Sequence, residues 1–232
     1  MPNMFDKKTL LLDLDGTLLM SRWPGFAICF SLYFVFKAFR YASPYSSFRT
    51  FISLRDSLLK NHGGQSNAVM IAQFIASEWD VSEQEARRFY DEVCYEVFHR
   101  FSFFFKPADH LDEFLSWVSK HYKLVLATNP VWPKKVAELR VSWLSRSYDF
   151  FDFISHGENM TTTKPSVAYY QEILKQTHME ASDALMVGDD IVKDTPATEL
   201  GIPVFLIGSS MSPLACTVSN LKDLKGVLAH DT

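Results

Sequence analysis

Three short apolar runs, each stopping abruptly at a polar residue, constrain this chain more than any other feature. "TLLLDLDGT" (9–17) carries Leu10-Leu11-Leu12 into Asp13. "YKLVLATNP" (122–130) carries Leu124-Val125-Leu126-Ala127 into Thr128, and "DALMVGDD" (183–190) carries Ala184 to Val187 into Gly188-Asp189. None alternates apolar with polar residues, so none suits a strand with one wet face. Each reads as a strand buried on both faces, as in a parallel sheet covered by helices. "FDFIS" (151–155) and "PVFLIG" (203–208) have the same character.

Helical patterns separate these runs. "ADHLDEFLSWVSKHY" places Leu111, Phe114, Leu115 and Val118 on one face, and "SVAYYQEILKQTH" does the same with Val167, Tyr170, Ile173 and Leu174. "TPATELG" predicts a short helix with Pro196 in its first turn and Gly201 as its stop. From about residue 106 onward, strand and helix alternate, which predicts a doubly wound α/β domain.

Residues 20–105 break that rhythm with helical patterns and no clear strand. One of them, "SEQEARRFYDEVCYEVFHRF", opens with Ser82 three residues before Glu85, a capping box. The expectation is an all-helical insert over 20–105, with 1–19 and 106–232 forming the α/β core. The insert begins with "GFAICFSLYFVFKAF" (25–39), which carries five of the chain's 20 Phe. On a helix, Phe26, Phe30, Tyr33 and Lys37 share one side, and Ile28, Leu32, Val35 and Phe39 the other. A helix apolar all round is expected to be buried on more than one face. One side is expected against other insert helices, and the other against the strand ends or, in a homodimer, a second copy. "FSFFF" (101–105) marks the return to the core, packed beneath the insert or forming part of a hinge.

Several function classes fall away on composition. The formal net charge is −4 and no basic run occurs, so a nucleic-acid partner has no support. Between Arg22 and Lys37 only 14 residues lack charge, too few for a membrane span of about 20. The segment also lacks the polar face and basic flank of an interfacial helix. No secretory leader is expected, because Asp6, Lys7 and Lys8 interrupt the first apolar stretch. Cys29, Cys94 and Cys216 are scattered and odd in number, and the seven histidines show no HxxxH spacing. A reducing, cytoplasmic setting is the expectation.

In an open parallel sheet, ligands collect beyond the carboxyl ends of the strands. Asp13, Thr128 and Asp189 are therefore expected to converge although they are far apart in sequence. Asp13 and Asp15 stand two apart and can point to the same side. Gly16 permits a sharp turn that presents N–H groups to an anion. Asp189, Asp190 and Asp194 add carboxylates from another strand end. Such a cluster repels itself unless a cation neutralises it, and an oxygen-only donor set suits Mg²⁺. With a hydroxyl from Thr128 and a point charge from Lys164, the set forms a phosphoryl-binding site.

With "DLDGT" (13–17), Thr128 in "LATN", Lys164-Pro165 and "GDDIVKD" (188–194) in this order, the chain resembles the haloacid dehalogenase superfamily. The likeness is to its phosphatase-like branch with a helical cap inserted after the first strand of a Rossmann-like core. The resemblance implies that Asp13 attacks phosphorus to form an aspartyl-phosphate. Asp15 then protonates the leaving oxygen and activates water. Thr128, Asn129 and Lys164 would hold the phosphoryl oxygens. Asp13, the Asp15 backbone carbonyl and Asp189 would hold Mg²⁺, with Asp190 or Asp194 supporting the metal. The dehalogenases that named the superfamily lack an acid/base carboxylate at the position of Asp15 and need no Mg²⁺. Asp15 thus favours a small-molecule phosphate ester as substrate.

Each motif also has a plainer reading. Thr128-Asn129-Pro130 can be a strand-to-turn exit, Lys164 can be a solvated loop lysine, and Asp190 and Asp194 can cap the helix that follows. His156 and Glu158, after the fourth run, can meet substrate or simply supply loop polarity. A phosphomutase would use the same residues, and a binding module could keep the fold without turnover.

Overall fold

A computed structural model describes residues 8–59, 64–208 and 212–229. The first run forms β1 (Thr9–Leu12), followed by β2 (Leu19–Ser21). The insert contains α1 (Trp23–Ala38), α2 (Pro44–Leu59), α3 (Asn67–Trp79) and α4 (Glu83–Arg100). The chain returns through β3 (Phe105–Pro107), then α5 (Leu111–Val118), β4 (Lys123–Leu126), α6 (Lys134–Ser142) and β5 (Phe153–Ile154). It continues with α7 (Val167–Thr177), β6 (Ala184–Gly188), α8 (Ile191–Asp194), β7 (Val204–Ile207), β8 (Cys216–Val218) and α9 (Leu221–Ala229).

The main sheet has six strands in the order β5-β4-β1-β6-β7-β8, all parallel. It is the expected doubly wound α/β, Rossmann-like arrangement. The triple leucine of β1 shows why the run carries no polar residue. Leu10 and Leu12 join the cluster containing Phe114, Leu115 and Leu224, while Leu11 points the other way, to Tyr169, Tyr170 and Ile173. Alternating side chains of a central strand thus meet helices on both faces.

Register then fixes the site. Leu12 is level with Leu126 of β4 and Val187 of β6. The strands therefore stop together, and the residues just beyond them share one edge.

Some details differ from the expectations. β2 and β3 pair antiparallel where the chain leaves and re-enters the core, a ribbon too short to show a periodicity. The expected short helix of "TPATELG" is present as a 3₁₀ segment, Thr195–Leu200, with Pro196 in its first turn and Gly201 at its end with φ 78°. β8 and α9 extend the core beyond the last predicted strand. The capping box is present, with Ser82 and Glu85 bonding reciprocally.

In the insert, Phe26, Phe30, Phe34 and Ala38 of α1 are buried at helical spacing. Phe34 packs against Trp79 and Phe89 with ring centroids 5.8 and 5.2 Å away. The other side of α1 is open. Leu32 and Phe36 are 67% and 64% exposed, and Ile28 and Phe39 are exposed as well. The expected burial on more than one face is therefore not found: one stripe supplies the insert's core and the opposite stripe faces outward. No helix among the described residues is long and apolar enough to cross a membrane.

The insert lies against the strand-end edge. Asn67, at the start of α3, is fully buried and donates through Nδ2 to the carbonyls of Pro130 and Thr162, at 3.2 and 3.0 Å. The backbone N–H groups of Asn67 and Ala68 donate to Met160 and Gly157. Arg87 of α4 pairs with Glu158 at 2.7 Å, and the Tyr90 hydroxyl donates to the Val131 carbonyl.

Candidate active site

Asp13 is the first residue past β1, and its N–H donates to the Val187 carbonyl at 2.8 Å. This ladder bond holds the backbone, so the carboxylate position follows from strand register and not from a loose loop. Asp189 lies one residue beyond β6. Asp194 is at the end of α8, fully buried and turned back toward the strand. One carboxylate oxygen from each of Asp13, Asp189 and Asp194 lies within 4.8 Å of the others.

Lys164 enters from the segment before α7 and is 3% exposed. Its Nζ donates to Asp13 Oδ1 at 2.8 Å and to Asp194 Oδ1 at 2.7 Å. The other Asp194 oxygen accepts from the N–H groups of Asp189 and Asp190 at 3.1 and 3.0 Å. Asp194 thus ties the lysine to the loop carrying Asp189.

Two glycines make this density possible. A Cβ on Gly188 would lie 2.0 Å from Asp194 Oδ2, and one on Gly16, where φ is +85°, would lie 2.1 Å from Asp189 Oδ2. Side chains at these positions would occupy the space of the carboxylates themselves.

The electrostatics follow from burial. Desolvation pushes Asp13 up to about 7, with Lys164 opposing the rise and Asp194 and Asp15 adding to it. Asp189 is raised to about 6, first by burial and then by Asp194 and Asp190. For Lys164, burial works against the charge, but Asp13 and Asp194 outweigh it and hold the ammonium well above its ordinary range. Lys164 bonds two of the three carboxylates, and Asp189 is the third member of the cluster. Fully ionised, this cluster carries two uncompensated negative charges, which a divalent cation with oxygen ligands would neutralise. The donor chemistry fits Mg²⁺.

Asp190 faces its own helix: its side chain accepts from the N–H groups of Val192 and Lys193 and pairs with Lys193 Nζ. Thr128 is buried beyond β4, and its carbonyl accepts hydrogen bonds from Ser155 Oγ at 2.6 Å and the Tyr169 hydroxyl at 2.8 Å. Asn129 Oδ1 is buried without a hydrogen-bond partner among the described residues. His156 and Glu158 bond to each other, and Glu158 also takes Arg87 and the Lys134 N–H. That places them at the contact with the insert.

Asp15 is not one of the three clustered carboxylates, and Arg140 Nη2 donates to its Oδ1. Arg140 is the residue that sequence reasoning missed. It lies on α6 at the spacing of Val136, Ala137 and Val141, the buried stripe of that helix. A charged residue in an apolar stripe was the available signal. Tyr169 and Ser155, which fix the Thr128 carbonyl, carried no such mark.

A family model for haloacid dehalogenase-like hydrolases matches residues 10–207. Among solved structures, a 2-haloacid dehalogenase from Pseudomonas syringae pv. Tomato is 20% identical, with a TM-score of 0.67 over 97% of this chain and 100% of that one. An HAD phosphatase from Thermococcus onnurineus is 19% identical, with a TM-score of 0.63 over 95% of this chain and 97% of that one. A structure described as a putative beta-phosphoglucomutase from Thermotoga maritima is 18% identical, with a TM-score of 0.56 over 96% and 99% of the two chains. These likenesses speak to the fold alone. No curated protein matches.

Proposed function

The chain belongs to the haloacid dehalogenase-like hydrolase family, and within it we propose a Mg²⁺-dependent phosphomonoester hydrolase acting on a small phosphorylated metabolite. The observation that carries this reading is the surplus negative charge of Asp13, Asp189 and Asp194 around Lys164, with Asp15 close by in sequence and outside that cluster. In this reading the helical insert is the cap over the site.

Lys164 holds Asp13 Oδ1, leaving Oδ2 as the attacking atom. It forms a bond to phosphorus while the bond from phosphorus to the leaving oxygen breaks, and Asp15 delivers a proton to that oxygen. Asp15 then takes a proton from water, whose oxygen attacks the aspartyl-phosphate. Inorganic phosphate leaves and the Asp13 carboxylate is restored. Thr128, the N–H groups of Asn129 and Lys164 hold the phosphoryl oxygens. Asp13 and Asp189, with the Asp15 backbone carbonyl, would hold Mg²⁺, and Asp194 would support them; Asp190 acts there only through its backbone and its helix cap. When bound, the cation supplies charge neutralisation for the phosphoryl group. An acid/base carboxylate at position 15 favours ester hydrolysis over dehalogenation.

The test is phosphate release from a panel of phosphate esters, with Mg²⁺ and with EDTA, for the wild type and Asp13→Asn. Metal-dependent release that is lost in the variant supports the reading. Activity retained by Asp13→Asn removes it, and activation by a sugar bisphosphate with little free phosphate points to a mutase instead.

A further inference from the structure

Arg140 is 1% exposed, a buried cation on an otherwise apolar helix face. Val136, Ala137 and Val141 share its face of α6. A guanidinium is always charged, and burying one is costly unless its donors are used. Arg140 leaves Nε without a partner among the described residues. The contact that remains is the ion pair from Nη2 to Asp15 Oδ1.

The guanidinium also has aromatic neighbours. Its centre lies 5.1 Å from the Phe98 ring and 5.9 Å from the Phe105 ring. Phe98 belongs to α4 of the insert, and Phe105 opens β3, the strand by which the chain returns to the core. The two rings stack 5.6 Å apart, and Phe98 packs on Trp132, beyond β4, at 4.9 Å. Arginine held over aromatic faces gains attraction and loses rotational freedom. The side chain that grips Asp15 is therefore itself gripped by the insert and by the segment on which the insert is hung.

We propose that Arg140 is a positioning residue through which the seating of the helical insert sets the pose of the Asp15 carboxylate. With α4 in place, Phe98 and Phe105 fix the guanidinium and the guanidinium fixes Asp15. With α4 withdrawn, Arg140 loses one aromatic face and Asp15 loses a rigid partner. Proton delivery to the leaving oxygen then depends on a closed insert. The inference rests on the reading of Asp15 as acid and base.

The experiment compares kcat and KM of wild type, Arg140→Met, Arg140→Lys and Phe98→Leu on two esters. One is an alkyl phosphate, whose leaving oxygen needs a proton, and the other is 2,4-dinitrophenyl phosphate, whose leaving group departs without one. For Arg140→Met the expected result is a loss of about 100-fold in kcat/KM, which reports phosphorylation of Asp13, on the alkyl ester and a much smaller loss of kcat/KM on the dinitrophenyl ester. The kcat falls on both, because water attack on the aspartyl-phosphate also uses Asp15. Phe98→Leu should show the same pattern more weakly, and Arg140→Lys should recover part of kcat. Equal losses of kcat/KM on both esters, or no loss, overturn the proposal. Crystal structures of wild type and Arg140→Met, or of Arg140→Lys where the methionine variant does not fold, read the link without turnover. A displaced Asp15 carboxylate is expected, and an unchanged pose overturns the proposal. A wild type inert toward every ester ends the hydrolase reading, while the structural comparison still decides whether Arg140 holds Asp15.

Discussion

At the strand ends, Lys164 bonds two carboxylates and two glycines stand where any Cβ would strike a carboxylate oxygen. In the insert, Phe26 meets Phe98 and Phe34 meets Trp79 and Phe89 ring against ring, while Phe30 meets Trp132 of the core. The first region depends on which atoms are present, because a charge or hydrogen bond has no substitute of another chemistry. The second depends on volume and shape, and cores of this kind tolerate apolar exchange when volume is kept. Site chemistry can therefore be fixed while the insert varies around it.

The largest effect is expected where the first region is broken. Lys164→Met removes the counter-charge of Asp13 and Asp194, and breaking a buried pair in this way costs about 3–5 kcal/mol in addition to activity. Urea unfolding beside an activity assay checks both, and a stable, active variant would break the comparison.

Next comes the second region. Phe34→Ala should cost about 3–5 kcal/mol through the cavity it leaves, whereas Phe34→Leu should cost under about 1.5 kcal/mol. Denaturant midpoints decide, and equal losses in the two variants would show the insert to be as exacting as the site.

A pH-dependent effect should follow. Asp13 and Asp189 have folded-state values raised to about 7 and about 6. In the unfolded chain such carboxylates ionise near 3.9, so over this range the folded state holds more protons than the unfolded one. In EDTA, the contribution of these groups to stability should fall as pH rises from about 4 through 7. Mg²⁺ should reverse that loss, raising Tm more at about pH 8 than at about pH 5. An equal Mg²⁺ effect at both values would place cation binding elsewhere.

The smallest effect is expected on the outer stripe of α1. Leu32→Ser lies at a position 67% exposed and should change stability by about 0.5 kcal/mol or less. A larger loss would show that this stripe is covered in solution.

The same contrast governs what could be read from the sequence. The parallel core and the proximity of Asp13 and Asp189 were legible because runs buried on both faces carry no polar residue until they end. Asp190 was harder: of two adjacent aspartates, one caps α8 and the other faces the cluster, and only the local backbone direction separates them. Arg140 escaped because its partner, Asp15, is 125 positions away, and no local pattern connects them. The outward stripe of α1 is as apolar as the inward one, so periodicity gave no sign of which would be covered. β2 and β3, three residues each, are held by each other and not by a pattern of their own.

The most direct test of the central claim, that Asp13 is the nucleophile of a phosphoryl transfer, is a rapid acid quench during turnover of a phosphate ester with Mg²⁺. The quenched protein is digested and its peptides are weighed by mass spectrometry. The account predicts one phosphoryl group on the peptide carrying Asp13, absent in EDTA and absent in Asp13→Asn. Turnover with no label on that peptide, or with label on another residue, would contradict it.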